Sequence, residues 1–359
     1  MTTENRYTAK PAPKAASQAL HLVKGEIAKA FIGQASLVDH ALITALAGGH
    51  LLVEGVPGLG KTLLVRALAK AIGGASRRVQ FTPDLMPGDI TGSIMLDTGS
   101  GKFVTRKGPV FTNFFIADEI NRAPAKTQAA LFEAMQEFQV SLDGTAYPLP
   151  EPFMVLATEN PFEHEGTYPL PDAQKDRFLM KVIAGYPAPE EETAMVSLVL
   201  KGDTGAALSV DAVETVLPPG GFSALRDLAV RVRTDPLVID YAVRLCAATR
   251  NDPHAETGAG PRGSLALIRC ARARALLEGR DFVLPDDVKA LAVPVLAHRL
   301  TLSAESELEG LDERRIILNL AASVEAPKVP PPVLEGEDSP PAPEEDGRGE
   351  AAAGGASSR

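Results

Sequence analysis

Three short apolar runs constrain this chain of 359 residues more than any other feature. His50-Leu-Leu-Val-Glu54, Asn113-Phe-Phe-Ile-Ala117 and Phe153-Met-Val-Leu-Ala157 each read as a strand covered on both faces. Between them the apolar spacing switches to the helical period. Val38, Ala41, Leu42, Ala45 and Leu46 make one stripe, stopped by Gly48-Gly49. Leu64, Ala67, Leu68, Ala71 and Ile72 make a second, closed by Gly73-Gly74, and Leu131, Ala134, Met135 and Phe138 mark a third. Buried strands alternating with helices predict an α/β fold, a doubly wound parallel sheet. Two hairpins interrupt the alternation. One joins Ile94–Leu96 to Phe103–Thr105; the other joins Gln139–Leu142 to Thr145–Tyr147 around Asp143-Gly144, a dipeptide suited to a tight turn.

From about residue 187 the pattern is helical only, and PAPEEE at 187–192 marks the change. Ser264 to Glu278 is expected to be a helix with Ser264 as its N-cap and Gly279 beyond its end. Pro285-Asp286-Asp287 opens another, with carboxylates at its positive end. Residues 1–18 are poor in large apolar groups. Residues 326–359 hold seven Pro, seven Asp or Glu and three Lys or Arg. Both ends are expected to be disordered. The organisation read here is a sheet domain over 19–186 and a helical domain over 187–325, with a disordered segment at each end.

The chemistry begins where the first strand ends. Gly55-Val56-Pro57-Gly58-Leu59-Gly60-Lys61-Thr62 fits GxxxxGK[ST] between a strand and a helix. Glycines let such a loop turn its backbone amides toward phosphate, and the helix N-terminus adds partial positive charge. Lys61 would reach the β- and γ-phosphates of a nucleotide and Thr62 would ligate Mg²⁺. The second strand ends in Asp118-Glu119, where one carboxylate can hold Mg²⁺ and its neighbour can act as general base on water. The third ends in Thr158-Glu159-Asn160-Pro161, and the Asn160 amide could hold that water. No NKxD-type element for reading guanine is present. A base beside the metal carboxylate also suits hydrolysis better than transfer to a small molecule.

Composition narrows the partners. A net charge of −10 and an aromatic content of 5%, with no Trp, argue against a base-stacking nucleic-acid surface. No apolar run is long enough to cross a membrane and the N-terminus lacks a secretory apolar core, so no membrane insertion is expected. Cys246 and Cys270 fall on apolar helical faces without metal-ligand spacing, which reads as core in a reducing, cytoplasmic compartment. Lys102 and Phe103 near the tip of the first hairpin, and Tyr147 in the second, suit an extended peptide or a partner domain.

Over roughly residues 20–315 the sequence resembles the MoxR family of AAA+ ATPases. The phrases that carry the resemblance are LLVEGVPGLGKT, FTPDLMPGDITG, GPVFTNFFIADEINRAPAKTQAALFEAMQE, VLATENP, LPDAQKDRF and GPRGSLALIRCARA. It implies a P-loop AAA+ domain followed by an all-helical lid, with the two hairpins as inserts of that branch. Lys61 and Thr62 then match the Walker A lysine and Mg²⁺ ligand, and Asp118 and Glu119 match the Walker B pair. Asn160 matches sensor 1, Arg177 an arginine finger offered to a neighbouring subunit, and Arg262 the sensor 2 arginine. Ile32 and Gly33 are similar to the segment that abuts adenine, and Leu63 completes the nucleotide-binding loop. Glu159 and Lys175 stand where relatives often carry an amide and an aliphatic residue. The resemblance further implies ATP and Mg²⁺, a homo-oligomeric ring, a hexamer, and client remodelling with a separate von Willebrand factor A domain protein. A chelatase motor subunit, a nucleic-acid motor and a nucleotide-gated scaffold are the competing readings.

Overall fold

The computed structural model describes residues 12–56, 58–99, 101–160, 167–200 and 209–328. Nine strands and thirteen helices are used below. The strands are β1 (Leu51–Glu54), β2 (Ser76–Gln80), β3 (Gly92–Asp97), β4 (Lys102–Lys107), β5 (Phe114–Asp118), β6 (Gln139–Leu142), β7 (Thr145–Pro148), β8 (Met154–Glu159) and β9 (Met180–Ile183). In the sheet-bearing part the helices are α1 (Pro13–Ala28), α2 (Ala35–Leu46), α3 (Lys61–Ala71), α4 (Pro87–Thr91), α5 (Ala125–Glu137) and α6 (Asp172–Lys175). Beyond it come α7 (Pro189–Leu200), α8 (Gly221–Arg231), α9 (Pro236–Arg250), α10 (Pro261–Leu277), α11 (Pro285–Leu296), α12 (Ala304–Leu308) and α13 (Glu313–Ser323).

Five strands form one parallel sheet in the order β2-β5-β8-β1-β9. The three apolar runs occupy its centre. Leu51 to Val53 and Phe114 to Ala117 are essentially inaccessible, as strands flanked on both sides and covered on both faces must be. The two edge strands left no apolar run in the sequence. β2 reads Ser-Arg-Arg-Val-Gln with Arg77, Arg78 and Gln80 exposed, and β9 is four residues long. An edge strand has one hydrogen-bonded neighbour and part of its surface in water, so charge is tolerated there. Registry puts the ends of β1, β5 and β8 side by side: Glu54 lies opposite Glu159, and Ala117 opposite Ala157. The loops that follow these strands therefore open on one edge of the sheet.

Both hairpins form. β3 pairs β4 from Gly92↔Lys107 to Asp97↔Lys102, longer than expected at both ends. β6 pairs β7 across Asp143 and Gly144, both left-handed at φ 47° and 75°, as a two-residue hairpin turn of this kind requires. Tyr147 is not a free tip. Its hydroxyl lies 3.1 Å from Thr105 Oγ1 and Lys107 stands over its ring, so the second hairpin leans on the first. Phe103 remains 76% exposed beside Met95, Leu96 and Val104.

Two expectations are corrected. Residues 13–18 are helical, because α1 begins at Pro13; Ala16 is buried and Ser17 Oγ donates to Leu277 O at 2.7 Å. The docking partner lies 260 residues away, beyond the reach of local composition. Helix α10 starts at Pro261 rather than after Ser264, with Gly260 as N-cap. Proline at the first helical position has the fixed φ and the missing N–H that suit it there. Cys246 and Cys270 are free and fully buried. Residues 1–11 and 329–359, most of the segments read as disordered, lie outside the described residues. Among the described residues no helix is long and apolar enough to cross a membrane.

Candidate active site

The loop after β1 closes at Gly60, whose φ of 75° is left-handed, and α3 begins at Lys61. A side chain at Gly60 would be doubly excluded, because its Cβ would lie 3.1 Å from the Phe31 ring. The first amides of α3 have no carbonyl to bond within the helix and face the loop, a ready anion site. Lys61 Nζ donates to Gly55 O at 2.6 Å across this loop. Burial holds the Lys61 ammonium below its ordinary range, opposed by Asp118, Glu119 and Glu54. A cavity of about 390 Å³ joins the loop and Thr62 to Asp118, Glu119 and Asn160. Gly55, Gly58, Leu59, Gly60, Lys61, Thr62 and Leu63 line it. Pro57 lies outside the described residues.

Both acids at the end of β5 are already engaged. Asp118 Oδ2 accepts from Arg78 Nε at 2.9 Å and Nη2 at 2.5 Å, and its Oδ1 accepts from Thr158 Oγ1 at 2.6 Å. The same Thr158 oxygen accepts from Glu119 N at 2.8 Å, which ties β8 to the turn after β5. That turn is sharp because Glu119 is left-handed at φ 55°. The Glu119 carboxylate swings back to Gln80 Nε2 at 2.7 Å and Arg122 Nη1 at 3.1 Å. Charge-assisted bonds of this length hold both carboxylates in place. Glu159, half-buried in the same cavity, has its carboxyl pushed up by burial, with Lys181 and Lys175 pulling the other way. Lys181 is itself paired with Glu54 at 2.5 Å.

The Thr62 hydroxyl and the Asp118 carboxylate are hard oxygen donors beside a phosphate-binding loop, a set that fits Mg²⁺. This ion keeps several waters and takes phosphate oxygens, so it needs few protein ligands.

Other expected residues lie elsewhere. Ile32 and Gly33 do not line this cavity, nor does Val56; it is Phe31 that touches the loop, and Glu191 covers Gly33. Arg177 and Arg262 line a separate cavity of about 330 Å³, together with Asp176, Arg269 and Arg299. The Arg177 guanidinium stands 5.7 Å from the Phe132 ring centroid, and Arg262 Nη1 is 3.5 Å from Asp176 Oδ2. One chain thus carries the phosphate loop and the arginines on different surfaces. Sequence reasoning missed Arg78 and Gln80, which alternate onto one face of β2. The signal was the i, i+2 spacing, but it could be used only once that charged stretch was known to be a strand.

The fold and this cavity define an ATPase of the AAA class. The profile of the ATPase family associated with various cellular activities (AAA) matches residues 50–180, and that of the AAA lid domain matches 247–319. The chain belongs to the MoxR family. It is 42% identical over 325 residues to "Chaperone MoxR1" of Mycobacterium tuberculosis, covering 88% of this chain and 84% of that protein. It is 36% identical to "Protein MoxR" of Paracoccus denitrificans, over 77% of this chain and 86% of that one. A crystal structure of a protein from Cytophaga hutchinsonii superposes with a TM-score of 0.81 at 39% identity, covering 87% of this chain and 96% of that one.

Proposed function

We propose that this chain hydrolyses ATP with Mg²⁺ at sites shared between neighbouring copies in a ring, a hexamer, and uses the cycle to remodel client protein complexes. The observation that carries the reading is the separation of the two cavities. The phosphate loop and the two acids lie in one; Arg177 and Arg262 lie in the other. A neighbour that brings its arginine cavity to this phosphate loop completes the charge needed on the transferred phosphoryl.

In this reading the amides of α3 and Lys61 bind the phosphates, which breaks the Lys61 contact with Gly55 O. Thr62 and Asp118 are the residues that would hold Mg²⁺, and the ion would supply charge neutralisation at the phosphates. Glu119 leaves Gln80 and Arg122 and takes a proton from a water positioned by Asn160. That water oxygen bonds to the γ-phosphorus as the bond to the ADP oxygen breaks. Arg177 from the neighbour neutralises charge on the departing phosphoryl. The exposed Phe103, Met95, Leu96 and Val104 on one hairpin, in a chain of net charge −10, favour a protein client. A separate von Willebrand factor A domain protein is the proposed partner, and a reducing cytoplasm suits the two free buried cysteines.

Two measurements test the reading. Arg177→Ala and Lys61→Ala are each expected to be inactive, yet mixing them restores part of the turnover, because some interfaces then pair an intact loop with an intact arginine. No recovery under demonstrated subunit exchange would exclude a shared site. ATPase stimulation by a co-encoded von Willebrand factor A protein, and none by DNA or RNA, supports remodelling; salt-sensitive stimulation by nucleic acid alone would replace it with a nucleic-acid motor.

A further inference from the structure

Arg177 is gripped on both sides by a turn distant in sequence. The turn Ala297–Arg299 follows α11 and faces the segment Asp176–Leu179. Arg299 Nε donates to Asp176 Oδ1 at 2.8 Å. Its Nη2 donates to Phe178 O at 2.7 Å and to Asp176 O at 3.3 Å, and its Nη1 reaches Leu179 O at 3.4 Å and Val295 O. His298 Nε2 adds a bond to Phe178 O at 3.1 Å. The carbonyls immediately before and after Arg177 are therefore both held. The Arg299 side chain is only 3% exposed, while Arg177 itself is exposed.

A guanidinium is costly to bury, and two of the bonds that compensate it here end on the carbonyls of the residues flanking Arg177. Arginine is suited to this because its planar fork places several donors at fixed angles; a lysine ammonium cannot span them. Phe132 closes the arrangement from the other side. Its ring meets Phe178 edge-on at 5.9 Å and lies under the Arg177 guanidinium. Asp176, the acid that Arg299 holds, is also the partner of Arg262.

We infer that Arg299 is a positioning residue for Arg177, setting the direction in which Arg177 is offered to a neighbouring copy and tying it to the movement of α11. This rests on the reading of Arg177 as acting across an interface. The turn and the segment it grips move together, so a shift of the helices beyond the sheet carries Arg177 with it. Asp176 then gives Arg177 and Arg262 a common reference point.

The test uses the full chain with Arg299→Lys, which keeps charge and loses the fork, and Asp176→Asn, which keeps size. Expected for Arg299→Lys are unchanged ATP binding and KM, with kcat lowered about tenfold or more. Mixing with Lys61→Ala should recover turnover, since the phosphate cavity of Arg299→Lys is intact. In an Arg177→Ala background, Arg299→Lys should cause no further loss, because both act through one group. Near-parental kcat in Arg299→Lys, or a full extra loss in the double variant, overturns the inference while leaving the shared site standing. If Arg299→Lys melts early, Asp176→Asn carries the same comparisons. Normal turnover in Arg177→Ala alone would overturn the shared site itself and the inference with it.

Discussion

The two cavities of this molecule treat charge in opposite ways. In the phosphate cavity the two acids at the end of β5 are matched from within the chain: Asp118 by Arg78 and Thr158, Glu119 by Gln80 and Arg122. In the other cavity four guanidiniums share the lining with one acid, Asp176, which pairs with Arg262 and Arg299. Two of the four are absorbed by the fold. Arg269 donates to Ala47 O and Gly48 O, where α2 ends and its carbonyls need partners, and Arg299 is buried in the grip described above. Arg177 and Arg262 stay exposed at the surface. The first cavity must exchange partners to take a nucleotide. The second has positive charge in excess and gains from an anion brought to it. On the proposed reading, a surface that waits for charge and a surface that must release it are complementary halves of one site.

The largest effect is expected from removing the waiting charge. Arg177→Ala should bind ATP as the parent does and lose about a thousandfold in turnover, read by calorimetry and phosphate release. A loss of binding instead would place Arg177 in its own chain's nucleotide site. Next is the charge that must be released. Glu119→Gln keeps shape and loses the base, so turnover should fall at least about a hundredfold with binding retained. Near-normal turnover would assign the base elsewhere.

A smaller effect sharpens the electrostatic side. His50 lines the arginine cavity; its Nδ1 accepts from Val155 N at 3.0 Å and its Nε2 donates to Met135 O at 2.9 Å. Burial, with Arg269 and Arg226 nearby, lowers its pKa from 6.5 to about 4. The folded chain therefore resists a proton that the unfolded chain takes up below about pH 6.5, so stability falls as pH falls toward 4. Between pH 7.5 and 5 this group should cost about 2 kcal/mol in urea unfolding. His50→Gln should show a correspondingly shallower loss; an unchanged slope would show that other groups carry it. Least affected should be Phe103→Ser, outside both cavities. With 76% of its surface exposed, the change should stay within about 0.5 kcal/mol in stability and leave basal ATPase unaltered. A fall in basal rate would tie the hairpin to the cavities.

Much of the phosphate side was legible in the residues themselves. A buried strand, a glycine loop and a helix start are consecutive, so Gly55 to Thr62 specify their own geometry, and the Asp118-Glu119 pair needs only the strand before it. The Asp143-Gly144 turn is local in the same way. Arg177 and Arg262 could be picked out as residues but not placed, since no spacing within the sequence says that they share a cavity with Arg269 and Arg299.

Neighbours along the chain fix the three central strands, the loop between β1 and α3, the hairpin turns and the acids at the strand end, and these were readable from the residues. Features set by residues far apart depended on the assembled fold. β2 and β9 became strands because the sheet offered open edges, not because their residues insist on it. Arg78 and Gln80 reached Asp118 and Glu119 across about forty positions, and Arg299 reached Asp176 across 123. Hydrogen bonds of that kind depend on where the backbone brings two side chains. That placement is settled by burial of Phe115, Phe132 and the rest of the core, not by any pattern local to the residues that use it.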